Sequence, residues 1–211
     1  PCDIEIHVGS DTDRSEDNPR YYFIDAARVM PPVTPGDEGQ KIFYQLFRPE
    51  FVSNYKSKLS SDAFSRFGML DTSKNDLVTE ATKYLLEVLV PNFASNLTLR
   101  KCETLNVVKL MHVAGINARY LGLVRSHVQD ISLKQRLMEE IIARTLKRIL
   151  FEKIRKEMDA LNSFSADVML CEFCNKLLDP EEMSFWSEHG KKNLKAKILR
   201  GFEGALEKGE M

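Results

Sequence analysis

The sequence predicts an α+β fold, a small N-terminal β-hairpin followed by a mainly α-helical body with one long amphipathic helix. Three observations predict it. Ile4, Ile6 and Val8 alternate with polar neighbours, and Tyr21 to Ile24 is aromatic and β-branched, so both stretches read as strands. No strand pattern is expected after Gly68. Leu133, Leu137, Ile141, Leu146, Ile149, Ile154 and Met158 then form a broad apolar stripe at helical spacing, with Met138, Ile142 and Leu150 beside them and charges on the other face.

In order along the chain, the connection from Gly9 to Arg20 is rich in Asp, Ser, Asn and Pro, which favour turns, so a long polar loop is expected between the strands. Pro31-Pro32 and Pro35-Gly36 interrupt regular structure. Ile42, Phe43, Leu46 and Phe47 stand at helical spacing within Gln40 to Phe47, and Pro49 suits the first turn of a short helix through Tyr55. Ser60 and Ser61 before Asp62 read as a helix N-cap, because Asp62 to Phe64 continues at helical spacing. Asp76 is the expected N-cap of a helix from Leu77 to Val90, and Pro91 its stop. A further helix is expected from Thr98 to Val113, closed by Gly115, since a residue with φ > 0 is commonly needed just past a helix end. Asn117 opens a short helix to His127, and the long helix follows. Beyond Asn162 two weaker helices, Ala166 to Leu178 and Lys191 to Leu206, are separated by Asp179-Pro180.

A chain of 211 residues, 43% of them hydrophobic, can bury a real core in one large domain or two small ones. No apolar run approaches the roughly 20 residues a spanning helix needs, so membrane insertion is not expected and a cytoplasmic setting is. Cys2, Cys102, Cys171 and Cys174 are spaced unlike a small secreted disulfide framework, and reduced thiols are expected. The net charge of -1 conceals an uneven distribution. Residues 1–20 hold six acids against two bases, whereas 99–156 hold thirteen bases against five acids.

Gly115-Ile-Asn-Ala-Arg119-Tyr-Leu-Gly-Leu-Val-Arg125 reads as a helix-turn-helix joint with a basic face, which suggests docking instead of catalysis. Arg119 and Arg125 on that joint, with Arg144, Lys147, Arg148, Arg155 and Lys156 on the long helix, are the candidate RNA- or partner-binding residues, able to bind phosphates by counterion release. The competing reading is a solvated face held by local pairs such as Glu152 with Lys156. Tyr120 is the one aromatic candidate for base stacking among these charges.

Ile6-His-Val-Gly-Ser-Asp11 and Arg20-Tyr-Tyr-Phe-Ile-Asp25-Ala-Ala-Arg28-Val-Met-Pro-Pro32 resemble the core of the clustered-mitochondria (Clu) domain. Phe47-Arg-Pro-Glu50-Phe-Val and Leu59-Ser-Ser-Asp62-Ala-Phe64 resemble later motifs of that family, in the same order. His112 to Arg125, with Glu140-Ile-Ile-Ala-Arg144-Thr-Leu-Lys147, is similar to the stretch named for its likeness to the 135-kilodalton subunit of translation initiation factor 3. The likeness runs from Ile4 to Met158. It implies three segments: 1–70 as the C-terminal part of a Clu-like domain, 71–165 as the initiation-factor-like helical region, and 166–211 as C-terminal helices. It also implies a non-catalytic cytosolic protein that binds messenger RNA or ribosome-associated proteins and affects mitochondrial distribution. Family proteins are much longer, so the chain looks like a central piece.

Other chemistry is thinly supported by the residues. Asp25 ends an apolar strand as the metal-binding Asp of kinase-like folds does, so the alternative is a kinase-like remnant holding nucleotide and magnesium through Asp25, with Asp11 and Asp13 joining if the polar loop folds back. A Gly-rich phosphate loop, a phosphate-pairing strand Lys and a His-Arg-Asp run are not visible, and no catalysis or resident cofactor is expected. Cys171-Glu-Phe-Cys174 has half of a zinc-knuckle spacing and would need His189 with Cys2 or Cys102 to complete it. Two buried apolar thiols on one helix face are the simpler reading.

Overall fold

The computed structural model describes residues 5–9, 20–25, 29–36, 44–65, 72–104, 106–159, 165–179, 186–207 and 210, and this part is mainly helical. The chain divides into two compact units, Pro1–Asn92 with Lys109–Asn117, and Phe93–Val108 with Ala118–Met211.

In the first unit, β1 (Glu5–Gly9) and β2 (Arg20–Asp25) pair antiparallel, with Ile6 opposite Phe23 and Val8 opposite Tyr21. The expected polar loop between them, Asp11 and Asp13 included, lies outside the described residues. The described part of Gln40 to Phe47 is a turn at Tyr44 followed by a bridged segment, and is not helical. Leu46 bridges Pro32, the Val33 N–H donates to the Gln45 carbonyl at 2.7 Å, and the Phe47 N–H to the Pro31 carbonyl at 2.9 Å. Pro32 lacks an N–H, but the Pro31 carbonyl and the Val33 N–H on either side of it suffice to hold a neighbouring extended segment. The Thr82 hydroxyl, buried in α2 (Thr72–Tyr84), accepts from both the N–H and the hydroxyl of Thr34 at 3.0 Å and donates to the Val78 carbonyl at 2.9 Å. This fixes the segment after the prolines to the helix.

Short helix α1 (Pro49–Asn54) forms where Pro49 predicts it, with Arg48 extended as a residue before proline prefers. Ser60 does cap, its hydroxyl accepting the Asp62 N–H at 3.2 Å, but what it caps is a turn. The reason is at Phe64, whose φ of 59° leaves the helical region while its N–H donates to Asn75 Oδ1 at 2.7 Å.

Asp76 lies inside α2 instead of capping it, and Pro91 does not end the helix. Leu85–Leu89 forms a π turn, with the Val90 N–H bonded to the Leu85 carbonyl, and α3 (Val90–Ser95) continues from it. In an uninterrupted α-helix the Pro91 ring would crowd the Glu87 carbonyl; the wider turn relieves that contact. The inward side chains follow the change, running Val78, Ala81, Leu85 and then Val90. The helix expected over Thr98 to Val113 is likewise interrupted, into α4 (Leu99–Thr104) and α5 (Val107–Val113). Asn106 makes the break by accepting the Val108 N–H on Oδ1 at 2.9 Å, an N-cap in the middle of an apolar periodicity.

Gly115 closes α5 as predicted. Its φ is +79°, its N–H bonds the His112 carbonyl at 2.9 Å, and the Ile116 N–H bonds the Met111 carbonyl at 2.8 Å, the paired bonds of a Schellman ending. A Cβ there would also stand 2.7 Å from the Phe51 backbone nitrogen, so α1 approaches because this residue has no side chain.

In the second unit a 3₁₀ turn (Ala118–Tyr120) leads into α6 (Leu121–His127), and Asp130 Oδ1 accepts the Leu133 N–H at 2.7 Å to start α7 (Ile131–Asp159). α7 packs against α4, α6, α8 (Ala166–Leu178) and α9 (Glu188–Gly201). Leu133, Leu137, Ile141 and Thr145 face fully inward, each apolar one contributing about 1.5–3 kcal/mol. Beyond Thr145 the stripe is only half-buried, and Met158 is exposed. α8 has its predicted bounds. α9 starts before Lys191 because the Ser187 hydroxyl accepts the Gly190 N–H at 3.1 Å. Among the described residues no helix is long and apolar enough to cross a membrane.

Candidate functional site

The two arginines of the basic joint have different fates. Arg125, expected on an exposed face, is 3% exposed. Its Nε donates to the Lys134 carbonyl at 3.1 Å, Nη1 to the Ala205 carbonyl at 2.5 Å and Glu210 Oε2 at 2.9 Å, and Nη2 to Glu210 Oε1. A planar fork engaged in this way at all three nitrogens fastens the segment after α9 to α6 and is not available to a ligand. Lys134 pairs with Glu207, and Lys195 Nζ donates to the Glu210 carbonyl at 2.8 Å. The Arg125 fork, followed by the Glu207 N–H, holds the Glu210 carboxyl below the usual carboxylate range. Gly122 makes the approach possible, since an added Cβ would overlap the Glu203 carbonyl oxygen. Arg119 lies half-buried over the Tyr120 ring, 5.0 Å from its centroid.

The positive groups of α7 remain outside. Arg144, Arg148, Phe151 and Arg155 recur at the spacing of one helical face, with Lys147 and Lys156 at its margins. Arg144 donates from Nε to Glu140 Oε1 at 2.7 Å, and is partly neutralised. Lys147 Nζ stands 5.6 Å from the Phe151 ring centroid, and the Arg148 guanidinium 5.7 Å from that of Phe202. Arg148, Arg155 and Lys156 are exposed. Residues 145–156 hold five bases and one acid, Glu152. That acid is engaged by Lys197 of α9 at 2.5 Å, a bond that lowers its carboxyl below the ordinary value. The anticipated Glu152–Lys156 neutralisation is therefore replaced by a tie between α7 and α9. Sequence reasoning missed Phe151, which is 45% exposed. The available signal was its position, four residues after Lys147 and four before Arg155, off the inward stripe.

Asp25 ends β2, its backbone opposite Glu5, and Asp11 lies outside the described residues. Cys171 and Cys174 of α8 carry free thiols, the first exposed and the second half-buried, while Cys102 is buried in α4. Among the described residues no three His, Cys, Asp or Glu side chains gather as a ligand set, and Cys2 is not among those residues.

The first unit contains a cavity of about 180 Å³ lined by Glu50, Phe51, Asn54, Tyr55, Tyr84, Leu89, Val113 and Ala114. The Phe51 and Tyr55 rings stack at 5.3 Å, and Tyr84 is tilted against Tyr55 at 5.6 Å. Arg48 grips Glu50 with a fork of 2.9 and 2.8 Å bonds, which is the main reason its carboxyl is lowered to about 2. The Tyr55 hydroxyl is buried and has no hydrogen-bond partner among the described residues.

Comparison with known proteins matches the sequence first to a class. The family model of translation initiation factor eIF3 subunit 135 covers residues 100–202, from α4 through α9. The protein is thus helical and translation-factor-like in its second unit. The clustered mitochondria protein homolog of Caenorhabditis elegans is 26% identical over 146 residues, 64% of this chain and 12% of that protein. Its Caenorhabditis briggsae counterpart is 27% identical over 103 residues, 46% of this chain and 8% of that protein. These matches support the clustered-mitochondria family, with an initiation-factor-like segment, and the chain spans a small fraction of those relatives. No solved structure matches.

Proposed function

We propose that this chain is a non-catalytic interaction module of a clustered-mitochondria-type protein, acting in the cytoplasm and linked to mitochondrial distribution, whose outer α7 face associates with messenger RNA at the translation machinery. The observation that carries the reading is the alignment of Lys147, Arg148, Phe151 and Arg155 on one exposed face with its single acid, Glu152, drawn to α9. Phosphates would be met by counterion release, and the exposed ring adds one stacking surface. The family match to residues 100–202 supports a translation-linked partner for the same helices. In this reading 1–70 is the end of a Clu-like domain, 71–165 the binding region and 166–211 its buttress.

The test is fluorescence anisotropy with a labelled mixed-sequence RNA at about 50 and about 200 mM salt. Binding should weaken steeply with salt, and Lys147→Glu with Arg155→Glu should weaken it at least about tenfold and reduce the salt slope by about two. Affinity unchanged by the double reversal would overturn the reading.

A further inference from the structure

The geometry points to the cavity of the first unit as a receptor for the cationic head of a lysine or arginine side chain on a partner protein. This site is independent of the α7 face. Its walls are electronegative in three different ways. The rings of Tyr55 and Tyr84, backed by Phe51 stacked between Phe47 and Tyr55, offer aromatic surface that attracts a cation through the ring quadrupole. Glu50 offers a carboxylate that stays ionised across the physiological range, and the Arg48 fork takes one lone pair on each oxygen, leaving others for a second donor. The lining also comes from helix ends of one polarity, Asn54 and Tyr55 closing α1 and Val113 and Ala114 closing α5, where backbones present carbonyls and not N–H groups. Among the described residues the lining holds one carboxylate and no basic side chain.

Two further observations select the occupant. The Tyr55 hydroxyl is buried without a partner among the described residues, and an incoming N–H donor would satisfy it. The cavity, at about 180 Å³, is smaller than the roughly 300–1,000 Å³ of small-molecule pockets and suits one side chain whose backbone stays outside. Val113, 77% exposed at its edge, provides an apolar shoulder for the aliphatic stem.

The test is an NMR titration of the full chain with Nα-acetyl-lysine methylamide, the arginine equivalent, the neutral norleucine equivalent and tetramethylammonium chloride. The lysine or arginine probe should shift the Tyr55, Tyr84 and Ala114 resonances with an affinity about fivefold above that of norleucine. Tyr55→Phe and Glu50→Gln should each lower that affinity about threefold or more with the remaining spectrum unchanged. The first keeps the ring stack, so loss of folding does not cloud its result. Equal or tighter binding of norleucine, no shift with any probe, or unaltered affinity in both variants overturns the proposal. Tetramethylammonium binding as tightly as the lysine probe overturns the partner side chain in favour of a free organic cation.

Discussion

The α6 joint and the outer half of α7 are both basic in sequence and opposite in structure. Arg125 is enclosed, with Nε and both Nη nitrogens donating hydrogen bonds, and its carboxylate partner, Glu210, lies 85 positions further on. Lys147 and Arg148 rest on aromatic rings and face outward. A count of positive residues treats them alike, whereas the number of acceptors each finds within the fold separates the structural cation from the one left for a partner.

The largest expected effect that would break or sharpen this contrast is at the joint. Arg125→Ala should lower unfolding stability by about 3 kcal/mol in a urea melt, since two carbonyls and a carboxylate lose their donor together. A loss under about 0.5 kcal/mol would mean that Arg125 is no more structural than the α7 cations. A smaller effect is expected at its partner. Glu210→Gln should cost about 1 kcal/mol near neutral pH. Because the folded Glu210 carboxyl titrates below its unfolded value near about 4.3, its contribution is complete above that pH and is lost as pH falls through the folded value. The variant's stability should therefore decline less steeply on acidification than that of the parent, followed by thermal melts from pH 6 to about pH 3. The smallest effect belongs to the outer face, where Lys147→Glu with Arg155→Glu should change stability by no more than about 0.5 kcal/mol while altering RNA binding. A large destabilisation there would erase the distinction.

Much of the helical half was legible because its signals are local. Asp130 before an apolar stripe marks the start of α7, Gly115 supplies the positive φ that ends α5, and Pro49 sets α1. The ordered motifs from Ile6 to Lys147 likewise pointed to the family that the nematode relatives support. What escaped depends on partners remote in the chain. Leu46 and Phe47 have helical spacing, but Pro31 and Val33 hold that segment extended. Arg125 resembles a surface residue until Ala205 and Glu210 fold over it. The cavity unites residues from three separate stretches, near Glu50, Tyr84 and Val113, and no one stretch announces it.

The π turn ahead of Pro91 acts as a register shifter. Inward positions advance by five residues from Leu85 to Val90, where an α-helix would advance by three or four. Excising a single residue from Glu87 to Leu89 would let an ordinary α-helix close over the gap, with Val90 still inward four positions from Leu85 but the proline ring pressed onto a carbonyl. In this stretch the extra residue makes room for the proline ring while the inward face of the helix is kept.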